Sequence, residues 1–300
     1  MMTVVMPLRH MFSDSFSIAG YRDVDSAEDK SPYFAYLDSF ANAFSAVTEA
    51  GVDLLRLRSG NLVLDVGCGH GACVPLLARR VGPAGRIVGI DASRAMVAEA
   101  QRRFDQSGLP VEFQFGSAQA LPFEDASFDA ARSDRVFMFL DDPQKALSEL
   151  VRVTKPGGRI VITEGDIGTH SIDASDVETT RAVLTALSDH SPNGWIGRRL
   201  RAMFIDAGLR DIDLQLVPIL STSFAEWNHR LGVERFLSNL IADEIIDRDK
   251  ALAWLDELRG RDEHGRFTGT TMLHMVGGSR ARAETTAEKL ENSARPSRRG

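Results

Sequence analysis

Two cysteines, three tryptophans and three tyrosines are all that this 300-residue chain holds of those residue types. So few cysteines exclude a disulfide-built fold. The spacing of Cys68 and Cys73 matches no zinc pattern, so reduced thiols and a cytoplasmic protein are expected. No cluster of His, Cys and carboxylates has metal-ligand spacing, and no metal is expected. No run reaches the ~18 apolar residues of a membrane helix. Pro7, Arg9 and His10 interrupt any signal-peptide core near the start, so no integral membrane segment is expected. Positive charge is short as well. Against 42 Asp and Glu stand 35 Lys and Arg, a net charge of −7. No basic stripe interleaved with aromatics is present, so nucleic acid is not an expected partner.

What the chain does have is a regular core. Residues 1–30 lack periodicity and end in a charged stretch, which reads as a flexible N-terminal arm. A helix starts at Ser31-Pro32. Its apolar stripe of Phe34, Leu37, Phe40, Phe44 and Val47 suits packing on a sheet, and as a cap over a ligand mouth it could offer the hydroxyl of Tyr33 or Tyr36. Strands then read at 62–66, 86–90, 111–115, 128–132 and 159–163, separated by helical patterns at about 72–81, 93–107 and from 143. Ser93 is the expected N-cap of the second of these helices. Short strands alternating with helices predict a doubly wound, mainly parallel α/β sheet. Helices at 175–189 and 195–207, a strand at 211–219, a helical stretch over 224–262 and a last strand at 266–276 complete a seven-stranded plan. The polar, Arg-rich tail from residue 279 reads as disordered.

One stretch organises the rest. The strand Leu62-Val63-Leu64-Asp65-Val66 runs into Gly67-Cys68-Gly69-His70-Gly71 and then a helix, a backbone arrangement that offers N–H groups to a nucleotide-like ligand. Taken strictly, residues 67–72 fit the dinucleotide fingerprint, with Asp91 as the acidic residue about twenty positions on. Asp65 speaks against a dinucleotide. A carboxylate at the mouth of the turn repels a pyrophosphate and attracts an ammonium or sulfonium.

Four segments carry a resemblance. Val63–Gly71, Gly89-Ile90-Asp91-Ala92-Ser93, Gly116–Phe123 with Ser127-Phe128-Asp129, and Arg152–Arg159 resemble, in order and spacing, the motifs of class I S-adenosylmethionine-dependent methyltransferases. The nearest subgroup resembles the ubiquinone/menaquinone C-methyltransferases and their natural-product relatives. The resemblance implies a Rossmann-like methyltransferase fold with a helical cap and insertion, and S-adenosyl-L-methionine as the cofactor. It places Gly67, Cys68 and Gly69 beside the methionine part, with Asp65 in the network around the amino group. Asp91 would accept the ribose hydroxyls, and Ala92 and Met96 would line adenine or ribose. Where the family commonly has an acidic residue near adenine this chain has Ser117, so Ala118, Gln119 and the local backbone take that part. Ser133, Asp134 and Arg135 would face the reacting methyl. Cys68 reads as a small residue and His70 as a solvent-facing helix start.

The acceptor is expected to be a small, partly apolar organic molecule methylated on oxygen, carbon or nitrogen, such as a quinone or polyketide ring. Ser133-Asp134-Arg135-Val136 stands where amide methyltransferases of this fold carry an Asn-Pro-Pro-Tyr-like sequence, which argues against nucleobase or glutamine amides. Glu164, Asp166 and His170 are the base candidates, with His190, His229 and His274 behind them, and Arg135, Arg198 and Arg199 are available for an anionic group. The expected division is an arm over 1–30, a methyltransferase domain over 31–278 and a tail over 279–300. Within the domain, 31–58 forms a cap helix, 59–165 the cofactor-binding core, and 166–207 with 221–265 the substrate-side helices. A homodimer is kept open as the assembly. The competing readings are an NAD(P)-dependent oxidoreductase and a catalytically silent binding protein of this fold.

Overall fold

The computed structural model describes residues 4–5 and 24–282. In chain order the elements are β1 (Val4–Val5), α1 (Ser31–Ala43), α2 (Ser45–Leu54), β2 (Leu62–Val66), α3 (Val74–Val81), β3 (Arg86–Asp91), α4 (Arg94–Phe104), β4 (Val111–Phe115) and β5 (Phe128–Asp134). A single 3₁₀ turn, Phe137–Phe139, leads to α5 (Pro143–Val153), β6 (Thr154–Ile172), α6 (Val177–His190), α7 (Ile196–Asp206) and β7 (Arg210–Ser221). The chain closes with α8 (Phe224–Leu231), α9 (Val233–Ala242), α10 (Arg248–Glu263) and β8 (Gly269–Ser279). The sheet order is β1-β7-β8-β6-β5-β2-β3-β4. β8 runs antiparallel between β6 and β7, and every other pair is parallel. The expected doubly wound, mainly parallel sheet of seven strands is present, with the two-residue β1 added at one edge.

Central strands here are apolar on both faces because helices cover both. Val63, Ile87, Ala130 and Val161 face the layer built by α1 to α4. Their neighbours Leu64, Val88, Ala131, Ile160 and Ile162 face the layer that includes α5 and α7. A third apolar cluster, around Trp227, Trp254 and Phe267, joins α6, α8, α9 and α10. Ser93 caps α4 as expected, accepting the Met96 N–H at 3.2 Å. Asp142 does the same for α5 through Lys145, with Pro143 in the first turn.

Several expected boundaries shift, each for a physical reason. The cap helix is two helices, because Phe44 leaves helical geometry (φ −106°, ψ 16°) while its ring stacks on Phe40 at 3.9 Å. β6 does not stop at 163. Pairing with β8 carries it to Ile172, past a register shift between Asp166 and Ser171. The stretch 224–262 divides into three helices, with Gly232 in left-handed geometry at φ +66° between the first two. The end of the expected arm is tied down. Val24 is buried, and the Asp25 carboxylate accepts from the Ser93 hydroxyl and from the N–H groups of Arg94 and Ala95, at the start of α4. Ser279 belongs to β8, and the Arg280 guanidinium donates to the carbonyls of Arg152 and Thr154. The remainder of the expected arm and tail lies outside the described residues. Among the described residues no helix is long and apolar enough to cross a membrane.

Trp254 holds the third cluster together: it is fully buried and its indole N–H donates to the Thr180 hydroxyl at 2.9 Å. Trp254→Ala is expected to lower stability by about 3–5 kcal/mol, measured as a fall in the urea unfolding midpoint.

Candidate functional site

The site forms where β2, β3 and β5 end. Gly67, Gly69 and Gly71 have φ of +71°, +53° and +85°, a region L side chains rarely adopt. A Cβ at Gly67 would also come within 2.1 Å of the Val136 side chain. The turn is pinned by Asp91, at the end of β3. Its Oδ2 accepts the Gly69 N–H at 2.8 Å and its Oδ1 accepts the Ser93 N–H at 2.9 Å. Burial pushes the Asp91 pKa up, and these two hydrogen bonds oppose the rise. Cys68 is buried, and burial raises its thiol pKa well above the ordinary value. That thiol is a packing group, tight against Gly89.

Asp65 is buried beneath the turn, where its Oδ1 accepts from Arg132 at 3.0 Å. Arg132 also donates to Asp134 at 2.9 Å. Burial raises the Asp65 pKa and the Arg132 charge pulls it back. Asp65 Oδ2 has no hydrogen-bond partner among the described residues. The sequence reading missed Arg132. Its signal was a charged residue inside an apolar strand, in register with Asp65 on the neighbouring strand.

Strand alternation separates the remaining expected residues. Arg132, Asp134 and Arg135 line a cavity of about 620 Å³, and Ser133, with its hydroxyl buried, does not. The expected role of Ser133 is therefore corrected: its side chain points to the opposite face of β5. Arg135 ion-pairs with Asp134 and lies over the Phe40 ring at 4.1 Å. Ala92, Met96, Ser117, Ala118 and Gln119 line the same cavity. The Gln119 carbonyl oxygen is already taken by the Asp142 N–H at 2.6 Å.

Of the three base candidates, Glu164 is excluded by geometry. It is fully buried away from the cavity, and its Oε1 accepts the N–H groups of Val136 and Phe137, which start the 3₁₀ turn. Asp166 reaches the cavity, but its carboxylate is held by Arg198 Nε at 2.6 Å and Nη2 at 2.8 Å and also accepts the Arg198 N–H. Arg198 is thereby occupied as well, and Arg199 does not line the cavity. His170 lines the cavity, edge-on to Trp227 with 5.8 Å between ring centroids. His190 and His274 do not line it, and the His229 side chain lies outside what is described.

The cap contributes more than expected. Tyr36, Leu37, Phe40 and Phe44 line the cavity. His70 is no solvent-facing helix start. It is fully buried, with Nε2 3.2 Å from Asp38 Oδ1 on α1. Burial and the nearby Arg103 lower its pKa. Asp38 is in turn gripped by Arg103 of α4 at 2.7 and 2.9 Å.

These groups fit the expected methyl donor. Asp91 keeps lone pairs for vicinal hydroxyls, and the orphaned Asp65 Oδ2 marks this end as short of a hydrogen-bond donor. The glycine turn leaves no side chain in the way. A pyrophosphate would instead meet the carboxylates of Asp65, Asp91 and Asp134.

Burial drives the Glu164 pKa from 4.5 to about 8. The folded chain therefore keeps a proton that the unfolded chain releases, and stability is lost as pH rises through that window. Glu164→Gln retains an acceptor for both N–H groups. Its stability relative to the parent is expected to climb between pH 5 and 8, by at most about 1.4 kcal/mol per pH unit. Urea midpoints across that range check this, and parallel profiles for the two proteins would contradict it.

Residues 64–162 match the family model described as a methyltransferase domain. An uncharacterised 37.1 kDa transposon protein of Streptomyces fradiae is 36% identical over 246 residues, covering 81% of this chain and 70% of that one. An uncharacterised methyltransferase of Schizosaccharomyces pombe is 30% identical over 232 residues, covering 69% and 82%. Among solved structures, a putative methyltransferase from Bacillus halodurans superposes with a TM-score of 0.55 at 17% identity, covering 78% and 98%. The dinucleotide reading finds no support in these comparisons. The chain belongs to the class I S-adenosylmethionine-dependent methyltransferases.

Proposed function

We propose that this enzyme methylates a small, partly apolar organic acceptor of ring type, on oxygen, carbon or nitrogen. One observation carries the reading: the cavity that holds the donor turn continues without a break into a largely apolar chamber. Phe40 and Phe44 of the cap, Ile219 of β7, Leu231 of α8 and Leu273 of β8 wall that chamber. A quinone or polyketide ring suits such walls. Two free, buried cysteines suit a reducing cytoplasm.

Bound at the glycine turn, S-adenosyl-L-methionine supplies an electrophilic methyl on a sulfonium. Asp91 takes the ribose hydroxyls, and Asp65 with Arg132 orients the amino-acid end. Met96, Ala118 and the backbone at Ser117 hold the adenine. The cap rings of Phe40 and Phe44 exclude water and press the acceptor toward the transferring methyl. His170 accepts the acceptor's proton when it carries one. Asp166, already paired with Arg198, holds the wall of the chamber rather than moving a proton.

Calorimetry is expected to show S-adenosylhomocysteine binding and no NAD binding. Asp91→Ala should weaken the former about a hundredfold or more. Tight NAD binding alone would refute the donor assignment. Incubation with labelled S-adenosylmethionine and small-molecule extracts should label a low-mass apolar product. Label found only on protein or nucleic acid would refute the acceptor class. With that acceptor in hand, His170→Ala should lower kcat by about 10²-fold or more at unchanged S-adenosylhomocysteine affinity. An unchanged kcat removes His170 from proton transfer.

A further inference from the structure

The opposite end of the sheet holds a second recess, of about 700 Å³, where β2, β5, β6 and β7 begin and β8 ends. A five-residue strand such as β2 spans roughly 17 Å, so this recess is a strand's length away from the methyl-donor turn. Its walls are unlike the rest of the molecule. Lys155 is neutralised by Asp129 at 2.6 Å. Arg56 and the buried Arg159 share one carboxylate oxygen, Asp213 Oδ2. Arg58, Arg210, Arg280 and Arg282 also line the recess and have no carboxylate partner among the described residues. With Asp211 counted, seven basic side chains face three carboxylates. That is a surplus of four positive charges on a chain whose net charge is −7.

Two further features mark the recess as more than a solvated surface. Arg56 and Asp211 both sit in left-handed backbone geometry, at φ +53° and +50°, a strain that costs on the order of 1 kcal/mol or more each. Arg159 forms the floor. It donates to the carbonyls of Leu54 and Asp211 and to the Ser279 hydroxyl as well as to Asp213. Burial and the repulsion of Arg56 lower its pKa, and Asp213 and Asp211 oppose that fall.

We propose that this recess binds a multiply charged phosphate, of the pyrophosphate or nucleoside-triphosphate class. Guanidinium forks match phosphate oxygens two at a time. A ligand with three or four negative charges would offset the surplus that the three carboxylates leave. A singly charged anion would not. Arg58, Arg210 and Arg282 are exposed, so their guanidinia can close on such a ligand without disturbing the sheet.

The test is calorimetry on the full chain with inorganic pyrophosphate and ATP as probes, with and without saturating S-adenosylhomocysteine. One-site binding that weakens with added salt, and that S-adenosylhomocysteine leaves intact, is expected. Pyrophosphate and ATP binding alike would identify the phosphates as the ligand. Binding of ATP alone would narrow the class to nucleotides. The exposed double variant Arg58→Ala/Arg210→Ala should weaken binding by about tenfold or more while keeping its S-adenosylhomocysteine affinity, which reports an intact fold. Arg201→Ala, on the outside of α7, should change nothing, and Arg282→Gln gives a second, independent loss. The proposal is overturned if neither probe binds at millimolar concentration, if S-adenosylhomocysteine displaces them, or if the variants bind as the parent does. Binding to anionic vesicles or a DNA duplex with no response to either probe also overturns it.

Discussion

A guanidinium enclosed in a parallel sheet is tolerated only when carboxylates meet it, and Arg132 is met on both sides. Asp65 comes from the neighbouring strand and Asp134 from two residues further along its own. This arrangement fixes the relative height of β2 and β5 at their carboxyl ends. The glycine turn, Asp134 and Arg135 are placed by those ends. Arg135 then reaches across to Phe40, so the position of the cap depends on the same buried charges. Removing Arg132 would leave the buried Asp65 carboxylate without its counter-charge, at the very base of the glycine turn.

The cap is fastened by a different set of contacts, all onto α4 or the glycine turn. Asp25 sits on the start of α4, Asp38 is clasped by Arg103, and His70 leans on Asp38. Leu37 lies close enough to Gly69 that even a Cβ there would crowd it, at 3.2 Å. Donor and acceptor must therefore reach a space roofed by α1, and the roof is held by charged groups rather than by apolar burial alone. Charged contacts at a half-exposed rim are cheaper to break and remake than packed aromatic layers.

What the sequence disclosed and what it hid divide along a physical line. The glycine turn, Asp91 and the cap Ser93 are local signals, written in residues that fold beside one another. Arg132 with Asp65, Arg103 with Asp38 and Asp25 with Ser93 join residues 65 to 68 positions apart, and no periodicity records such pairs. Glu164 misled for a related reason. At the end of a central strand a carboxylate suits catalysis, but its partners are the N–H groups of Val136 and Phe137, 28 and 27 positions earlier. β6 looked short because Glu164-Gly165-Asp166 has loop composition, and only pairing with β8 reveals a strand there.

That pairing has a consequence for how the molecule comes into being. β8 is the last strand in the described chain, yet it occupies a central place between β6 and β7. A growing polypeptide can complete β2 to β6, with the glycine turn and Asp91, while the other half of the sheet has nothing to attach to. Throughout that interval the outer edge of β6 presents unpaired backbone, the kind of edge that recruits other strands. β7 waits on the same event because it pairs with β8, and the short β1 in turn pairs with β7. The methyl-donor half thus ripens early. The acceptor chamber, walled by Ile219 and Leu273, is sealed only when the final strand slides home, a long-range closure of the slow kind.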